Sequence, residues 1–574
     1  MKSTLSKLKA RLFRIFGGKQ MNLSVLESRV IEEPSSVVEE LKHSDNLSLP
    51  EERLFARACI RAGMHDLLIE RLANNKAYEK DLGVLNFYVR ALQAKNKWEE
   101  IAQLNSLLLS SNKSNALTLI KAFLRTKRFA NAVELAEKFE FSGEDKARAS
   151  FLVFQALVKE KKYDLAISKL RHFEKVENEN IFKWHILSID ELKKLKPYDN
   201  GWVAFALGRL LFKKRQFISV VSILKPFIGK PLPSNLIRNY IYRYYGESLC
   251  NTLAKQPLLS ELQVVLDAAK QNDGLESFIS LYSGHKIHLN GDFDSAVYQF
   301  NSAVESQYSL PSDKGAITVR SSEQVDSLPV AAHETITFDE RNKRAANDLV
   351  TVVASDSKYF LLFFEIYRTS FQTKNPGYLL HFHIVNPSEE VLKIVEQHQG
   401  RVESVNFSFS NAKSSTNIKA LYASIRFLIA PQLLNYYESP ILITDIDVGF
   451  AGKLSEFKFE KETADVSFKL RNESTLFPWR LIPANTVVFN NTEGALSFLA
   501  CFSNYFYSIY GDGEGSNIWW IDQSALYSLY RYFNNPEARV MFNNLYESSD
   551  IDSLLLFHQP FETKQEFIDR VFSE

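Results

Sequence analysis

The sequence of 574 residues predicts a multidomain protein, with an N-terminal α-solenoid of helical hairpins followed by a mixed α/β domain. Two observations carry this prediction. An aromatic motif with helical spacing recurs between residues 50 and 310, whereas apolar β-branched runs alternate with amphipathic segments after residue 346. A polar, turn-rich stretch at 311–345 separates the two patterns and is predicted to be a linker, or a set of loops capping the solenoid.

The composition narrows the class of protein. Lys and Arg number 69 against 68 Asp and Glu, and this balance predicts no nucleic-acid partner. Hydrophobic residues make up 45%, which excludes wholesale disorder. The three cysteines have neither metal-ligand nor disulfide spacing, which fits a reducing compartment. Since the sequence has no run of 18 apolar residues and no pattern of a secretory signal, a cytoplasmic location is expected.

Residues 1–20 form a separate basic segment that contains six Lys or Arg and no acid. Its apolar residues recur at steps of three and four, at Leu5, Leu8, Leu12, Ile15 and Phe16. Such a basic amphipathic helix can lie on an anionic membrane face, which predicts peripheral contact with the inner face of a membrane. A short helix packed on its own domain, a basic tail and a transit peptide are the alternatives.

Five short stretches share an aromatic residue followed three positions later by a small or β-branched one. The pairs are Trp98/Ile101, Phe129/Ala132, Tyr163/Ala166, Phe217/Val220 and Phe293/Ala296. Phe129 and Tyr163 are 34 residues apart, which is the tetratricopeptide period. Gly284, which precedes Ala296 by 12 residues, would let two helices approach closely. Region 50–310 is therefore predicted to be a tetratricopeptide-like solenoid with a concave surface for a protein partner, and a generic helical array is the alternative.

The α/β pattern begins with a β-branched run at 349–354, predicted to be a buried parallel strand, and a second strand is predicted at 379–385. Ligands of open α/β sheets bind beyond the carboxyl ends of the strands, where Asp356 and Tyr359 follow the first strand. An aspartate can accept hydrogen bonds from a base edge, and a tyrosine can stack on a base. The alternative is that Asp356 caps the next helix and Tyr359 fills the core.

A second strand-end motif lies at 439–450, where an apolar run ends in Asp445 and Asp447. Residues two apart on a strand point to one face, so these carboxylates can converge. Two hard oxygen ligands suit Mg²⁺ or Mn²⁺, and such an ion can hold a diphosphate. Two other pairs with this spacing lack the strand-end context.

Taken in order, these elements resemble the GT-A fold (Rossmann-like) glycosyltransferases, most closely glycosyltransferase family 8, over about 349–566. The matching positions are Asp356, Tyr359, Arg426, Asp445, Asp447, Asn485, Asp522, Gln523, His558 and Lys564. The sequence departs from the family in two places. Asn485 is followed by Thr-Val where the family has Ala-Gly, and HQPFETK lacks the family's glycines and Pro-Trp.

The resemblance implies a GT-A domain at 346–574 that moves a sugar from a nucleotide diphosphate donor, with a UDP-sugar favoured, to a glycan, lipid or protein acceptor. It also implies retention of anomeric configuration and, by analogy, a role in polysaccharide biosynthesis. The implied metal ligands for Mn²⁺ or Mg²⁺ are Asp445, Asp447 and His558, and a nitrogen ligand favours Mn²⁺.

The resemblance implies a role for each remaining site residue. The residues implied to contact the nucleotide or its diphosphate are Asp356, Tyr359, Arg426 and Lys564. Asn485 is implied to contact the sugar, and Asp522 and Gln523 are implied to orient the reacting sugar, with Gln523 beside the anomeric carbon.

Each residue also has a structural interpretation. Arg426 can be a helix-surface cation, Asp522 an N-cap, Trp519 part of the core and His558 a structural histidine. Two alternatives for the whole protein follow: a repeat scaffold with a degenerate transferase domain, or an enzyme whose repeats recognise a protein acceptor.

Overall fold

The computed structural model describes residues 23–574 with gaps at 45, 110–112, 170–186, 196, 198, 233, 304–309, 332–333, 340–348, 399–404, 413–416, 458–463, 473, 512–517, 536, 538–539, 549, 558–561, 563 and 574. Residues 1–20 lie outside this range, so membrane contact through them stays a prediction. The chain divides into two compact units, Met1–Leu195 and Lys196–Glu574. Within the described part of the chain, no helix combines the length and the apolar character needed to span a membrane.

The first unit is helical throughout its described residues. Its helices α1–α12 are Leu23–Glu32, Pro34–Leu41, Leu49–Arg61, His65–Asn75, Leu82–Ala94, Trp98–Gln103, Asn105–Leu109, Lys113–Arg125, Phe129–Lys138, Gly143–Lys159, Tyr163–Lys169 and Ile189–Lys193. Local side chains define where they begin: the Asp81 carboxylate accepts a hydrogen bond from the Val84 backbone at the start of α5. The core of this unit consists mainly of Leu, Ala and Val side chains packed between helices.

Six further helices open the second unit. Helices α13–α18 are Gly201–Lys213, Phe217–Leu224, Asn235–Cys250, Lys255–Lys270, Glu276–Leu289 and Phe293–Ser302. Helix α13 begins where the Asn200 side chain accepts from the backbone N–H groups of Trp202 and Val203. Helices α17 and α18 form a close hairpin, because a Cβ on Gly284 would lie 2.9 Å from the Phe300 ring.

The five aromatic motifs occupy equivalent places in helical hairpins. Each aromatic is the first residue of a helix, α6, α9, α11, α14 or α18. The residue two positions earlier has a positive φ in every case, at Asn96, Lys127, Lys161, Arg215 and Gly291. The small or β-branched residue three positions after the aromatic is fully buried in all five. The motif therefore marks a recurring helix–turn–helix, and the assignment to a tetratricopeptide solenoid stays a prediction.

The prediction of an α/β domain is confirmed by an eight-stranded mixed sheet. Strands β1–β10 are Thr337–Phe338, Val350–Asp356, Leu379–Val385, Val405–Ser410, Ile441–Thr444, Val448–Phe450, Val466–Phe468, Thr486–Phe489, Phe542–Asn544 and Leu555–Phe557. The order in the large sheet is β1-β4-β3-β2-β5-β8-β7-β9, and β10 pairs with β6 in a separate ribbon. Strands β4, β3, β2 and β5 are parallel, whereas β8 runs antiparallel to β5. The carboxyl ends of the parallel strands thus share one edge, called the site edge below.

Helices cover the sheet. Helices α19–α27 are Ser322–Asp326, Ser357–Lys374, Glu389–His398, Ile418–Leu428, Ala430–Tyr437, Glu493–Tyr510, Ile521–Phe533, Leu545–Ser548 and Lys564–Ser573. One apolar core lies between α20, α21 and the sheet and extends to the β6–β10 ribbon. Because the parallel strands are covered by helices, nearly all of their residues are buried, including polar ones such as His381, His383 and Ser408.

The last helical hairpins pack onto loops of the sheet domain. Phe300 lies against Trp479 with ring centroids 5.2 Å apart, and a Cβ on Gly315 would overlap the same indole. Residues Pro311–Ile317, inside the predicted linker, form a 3₁₀ helix, and Asp313 is buried there. The boundary between the two units, after Leu195, falls inside the predicted repeat region of 50–310. Helices α13–α18 therefore belong to the same unit as the sheet.

Candidate active site

The first part of the site lies where β2 passes into α20. The Tyr359 backbone N–H donates to Asp356 Oδ1 at 2.8 Å, so Asp356 caps this helix as one of its two interpretations predicted. Tyr359 is 43% exposed, which excludes the core-filling interpretation. Partial burial, and then the charges of Asp447 and Asp356, raise the pKa of Tyr359. The phenol is therefore close enough to the second strand-end motif to sense its charge.

Arg426 forms the centre of the site. Helix α22 buries its guanidinium, which excludes the interpretation as a helix-surface cation. Nη1 donates to the Thr444 carbonyl at 3.3 Å and to the Asp445 carboxylate, and Nη2 lies 3.5 Å from Asp522 Oδ2. Burial opposes the charge, but the attraction of Asp445, Asp522 and Asp447 holds the pKa of Arg426 above its ordinary value. Four of the predicted site residues are thus brought together.

Asp522 lies in the first turn of α25, which begins at Ile521. It is not the N-cap, and its Oδ1 accepts from the Gln523 backbone N–H at 2.8 Å. Burial raises the pKa of Asp522 to about 6, despite the opposing attraction of Arg426. A carboxyl group with such a pKa is the kind of group that takes part in chemistry near neutral pH.

Contacts along α25 position this carboxyl group. The hydroxyls of Ser524 and Thr318 are 2.7 Å apart in the core. One turn later, Ser528 Oγ accepts from the Arg320 backbone N–H at 3.2 Å, and the Tyr527 ring packs against Phe293 of α18. The segment after the last helical hairpin therefore helps to fix where Asp522 lies.

The strand-end aspartates follow β5, as predicted. Asp445 is 34% exposed and Asp447 is exposed. The β6–β10 ladder pairs Val448 with Phe557, so the chain at Phe557 lies beside the residue that follows Asp447. His558 lies outside the described residues, and Lys564 is described only as the first residue of α27. Over the described ranges, no three His, Cys, Asp or Glu side chains are grouped to hold a metal ion.

The register of β8 brings Asn485 to the site edge. Thr486 pairs with Thr444, so Asn485 lies next to Asp445 across the ladder. Its side-chain oxygen accepts from the Thr486 hydroxyl at 3.4 Å. The position agrees with a contact to a donor bound at this edge.

Among the described residues, carboxyl groups outnumber cations around Arg426. Arg426 faces Asp445 and Asp522 directly and senses Asp447, so one cation meets three carboxyl groups. Carboxylate oxygens at an exposed strand end are donors that Mg²⁺ or Mn²⁺ prefers, so Asp445 and Asp447 are chemically suited to a divalent cation. Nε of Arg426 is buried and lacks a hydrogen-bond partner among the described residues, which leaves one donor for a ligand.

One residue at this edge, Lys469, was not identified from the sequence. Lys469 directly follows β7, its side chain is 2% exposed, and its Nζ lies 2.9 Å from Asp552 Oδ1. Trp519, interpreted as core, is 51% exposed three residues before Asp522. The signal for Lys469 was a charged residue directly after a short apolar run, which is the same signal that identified Asp445.

Comparisons with known proteins give low similarity. No protein-family profile and no curated protein matches the sequence significantly. The solved structures that resemble parts of the chain include three glycosyltransferases. The apo bifunctional glycosyltransferase WbbM is 13% identical with a TM-score of 0.24, and the match covers 32% of this chain and 37% of WbbM. The galactosyltransferase LgtC, in complex with donor and acceptor sugar analogs, is 14% identical with a TM-score of 0.27, and the match covers 39% of this chain and 95% of LgtC. The apo glycosyltransferase GlyE of Streptococcus pneumoniae TIGR4 is 12% identical with a TM-score of 0.25, and the match covers 40% of this chain and 64% of GlyE. The matches span less than two thirds of WbbM and of GlyE, and TM-scores this low do not establish the class of protein.

Proposed function

We propose that this protein is a metal-dependent glycosyltransferase that moves a sugar from a nucleotide diphosphate donor, a UDP-sugar, to an acceptor. The observation that carries the proposal is the cluster of Asp445, Asp447 and Asp522 around Arg426 at the site edge. The site lies at the carboxyl ends of β2 and β5, where open α/β sheets bind ligands. Phosphoryl and metal groups need both signs of charge in one place, which this cluster supplies.

The nucleoside would bind at the end of β2. Tyr359 offers an exposed ring for stacking on the base, and the ring stays beside Phe363 at 5.8 Å. Asp356 uses one carboxylate oxygen for the helix cap and has a second for a ribose or base donor. These two residues would set nucleotide affinity without taking part in bond cleavage.

Asp445, Asp447 and His558 would hold Mn²⁺ or Mg²⁺. When bound, the ion supplies positive charge to the departing diphosphate. Asp447 is exposed and the Asp445 side chain is 34% exposed, so solvent reaches both described ligands. The pairing of β10 with β6 supports the proposal for His558, since it brings the preceding residue to Val448.

The protein's own cations would stabilise the same leaving group. Arg426 is held by two carboxylates and so is pre-oriented, and Lys564 is assigned to the diphosphate by the resemblance. Asp522 and Gln523 would bind the sugar hydroxyls, and Asn485 would contact the sugar from β8. We infer retention of anomeric configuration from the same resemblance, with the acceptor proton taken by the leaving phosphate.

A screen of nucleotide sugars for Mn²⁺-stimulated hydrolysis tests the proposal. We expect Asp447→Ala to lower the metal-dependent rate by about 10²-fold or more, because a charge contact to the leaving group is lost. Asp267→Ala on α16 is the matched control, since it removes an exposed aspartate elsewhere in the same unit. Circular dichroism should show that both variants remain folded. Hydrolysis that Asp447→Ala leaves unchanged would contradict the site, and UDP binding without turnover would favour the degenerate-domain alternative.

A further inference from the structure

Lys469 lies at the site edge without a role in the proposed chemistry. Strand β7 pairs Phe468 with Val487 of β8, and β8 pairs Thr486 with Thr444 of β5. The residue after Phe468 is therefore at the same end of the sheet as the residue after Thr444, which is Asp445. The ends of β5 and β7, which lie on either side of β8, thus place an anion and a cation at the same edge of the sheet.

The surroundings of Lys469 are unusual for a lysine. Its side chain is 2% exposed, and its Nζ lies 5.4 Å from the centre of the Phe557 ring. Burial lowers the pKa of this ammonium group, whereas the hydrogen bond and charge of Asp552 raise it. A lysine is rarely buried without a fixed anionic partner, because desolvation of its charge is costly.

The anionic partner of Lys469 is on the solvent side. Asp552 Oδ1 accepts from Lys469 Nζ at 2.9 Å, yet the Asp552 side chain is 62% exposed. Asp552 can therefore turn into water with little desolvation cost, whereas Lys469 cannot leave its place. The pair is asymmetric: a fixed buried cation is covered by an exchangeable carboxylate.

Strand β10 connects this pair to the metal-binding end of the site. Phe557, which packs under Lys469, pairs with Val448 next to Asp447. Asp552 precedes β10 in the Ile551–Ser553 turn. The ammonium group is consequently beside the strand that the proposed function uses to complete its metal site.

We propose that Lys469 binds the diphosphate of the nucleotide donor, and that Asp552 occupies this cation as a carboxylate substitute when no nucleotide is bound. The inference rests on the proposed function and adds a residue and a competing group to its site. A lysine ammonium group is a common phosphate ligand, and charge-assisted contacts of this kind are strong. Displacement of Asp552 by phosphate leaves the charge of Lys469 compensated in both states.

Titration calorimetry with the full-length protein and excess Mn²⁺ tests this, using UDP and UMP as probes. We expect Lys469→Met to weaken UDP binding about 10- to 100-fold and to change UMP binding little. Lys469→Arg should keep most of the UDP affinity. Asp552→Asn should tighten UDP binding by about 2- to 5-fold, because the competing carboxylate is removed. Asp267→Asn, which neutralises a distant exposed aspartate, should change neither ligand.

The outcomes separate this inference from the proposed function. Absence of UDP binding by the unaltered protein overturns the proposed function and the inference with it. If neither Lys469→Met nor Asp552→Asn changes the ratio of UDP affinity to UMP affinity, the inference alone is overturned. Lys469 is then a structural lysine. If Lys469→Met does not fold, Asp552→Asn provides the test, because the Asp552 side chain is exposed and its replacement should not disturb folding. A UDP affinity that does not rise in Asp552→Asn contradicts the displacement of Asp552 by phosphate.

Discussion

Two groups of charged side chains in the second unit differ in their charge balance. In the first, called the interface cluster, Arg243 pairs with Asp313, and Arg480 lies 2.8 Å from Glu247. Cys250 senses three of these charges, which shows that the pairs are neighbours. In the second, called the edge cluster, Arg426 faces Asp445, Asp447 and Asp522. Among the described residues, each arginine of the interface cluster pairs with one carboxylate, whereas the single arginine of the edge cluster interacts with three carboxyl groups.

Burial follows the balance of charge. Arg243 and Asp313 are buried between the helical hairpins and the 3₁₀ helix at 311–317, where an uncompensated charge would be costly. In the edge cluster, by contrast, Asp447 is exposed. Excess charge that would destabilise a core is tolerated where solvent or a ligand cation can neutralise it. A neutral buried cluster therefore indicates a structural role, and an open, unbalanced one indicates a binding role.

The largest effect is expected in the interface cluster. Arg243→Met leaves Asp313 buried without its partner, and we expect a loss of about 3–5 kcal/mol in the free energy of unfolding. Urea unfolding followed by the fluorescence of buried Trp479 would measure it. Adding Asp313→Leu should restore part of the loss, since the orphaned carboxylate is then gone. A single variant as stable as the unaltered protein would contradict the structural role.

Arg426→Met applies the same change to the edge cluster. It leaves three carboxyl groups facing one another, so we expect a loss of about 2–4 kcal/mol in metal-free buffer. Mn²⁺ should recover part of this stability, because the ion binds the folded state and neutralises the repulsion. Arg243→Met serves as the control and should gain from Mn²⁺ only what the unaltered protein gains, whereas Arg426→Met should gain more. Equal responses of the two variants to Mn²⁺ would remove the distinction between the clusters.

More of the edge cluster than of the interface cluster could be predicted from the sequence. Strand β3 coincides with the predicted run at 379–385, because five of its seven residues are apolar, as a strand covered on both faces favours. Asp445 directly follows a strand, and strand ends can be located from the sequence alone. Arg426 was found through its order in the family resemblance, since periodicity alone gave a surface cation.

The interface cluster depends on packing that no local pattern encodes. Arg480 and Glu247 are separated by 233 positions, and their pairing requires the helical hairpins to lie on the sheet domain. Phe300 packs within the α17–α18 hairpin and also on Trp479, and the second contact is not encoded by helical spacing. Helical periodicity shows that a face is buried without showing what covers it, so the place of α13–α18 beside the sheet could not be predicted.

Asp522→Asn should stabilise the protein and inactivate it. The pKa of Asp522 is about 6 in the folded protein against an ordinary 3.8, so between these pH values the folded state holds a proton that the unfolded state has released. Stability therefore falls as pH rises through this window, by up to about 3 kcal/mol. The asparagine variant should lack this fall and be more stable at pH 7. The free energy of unfolding of both proteins, measured in EDTA at pH 4 and pH 7, tests this. The same change in stability between the two pH values in both proteins would contradict a buried Asp522 carboxyl group with a raised pKa.

Asp447→Asn should have the smallest effect on stability and a complete effect on metal binding. Because Asp447 is exposed, neutralising it should change the free energy of unfolding by no more than about 0.5 kcal/mol. The same change removes one of the excess carboxylates, so the rise in melting temperature that Mn²⁺ gives the unaltered protein should disappear. Thermal scans with and without Mn²⁺ measure both quantities on one sample. A variant that kept the Mn²⁺ response would show that the ion binds elsewhere, and the excess charge at the edge cluster would then need another explanation.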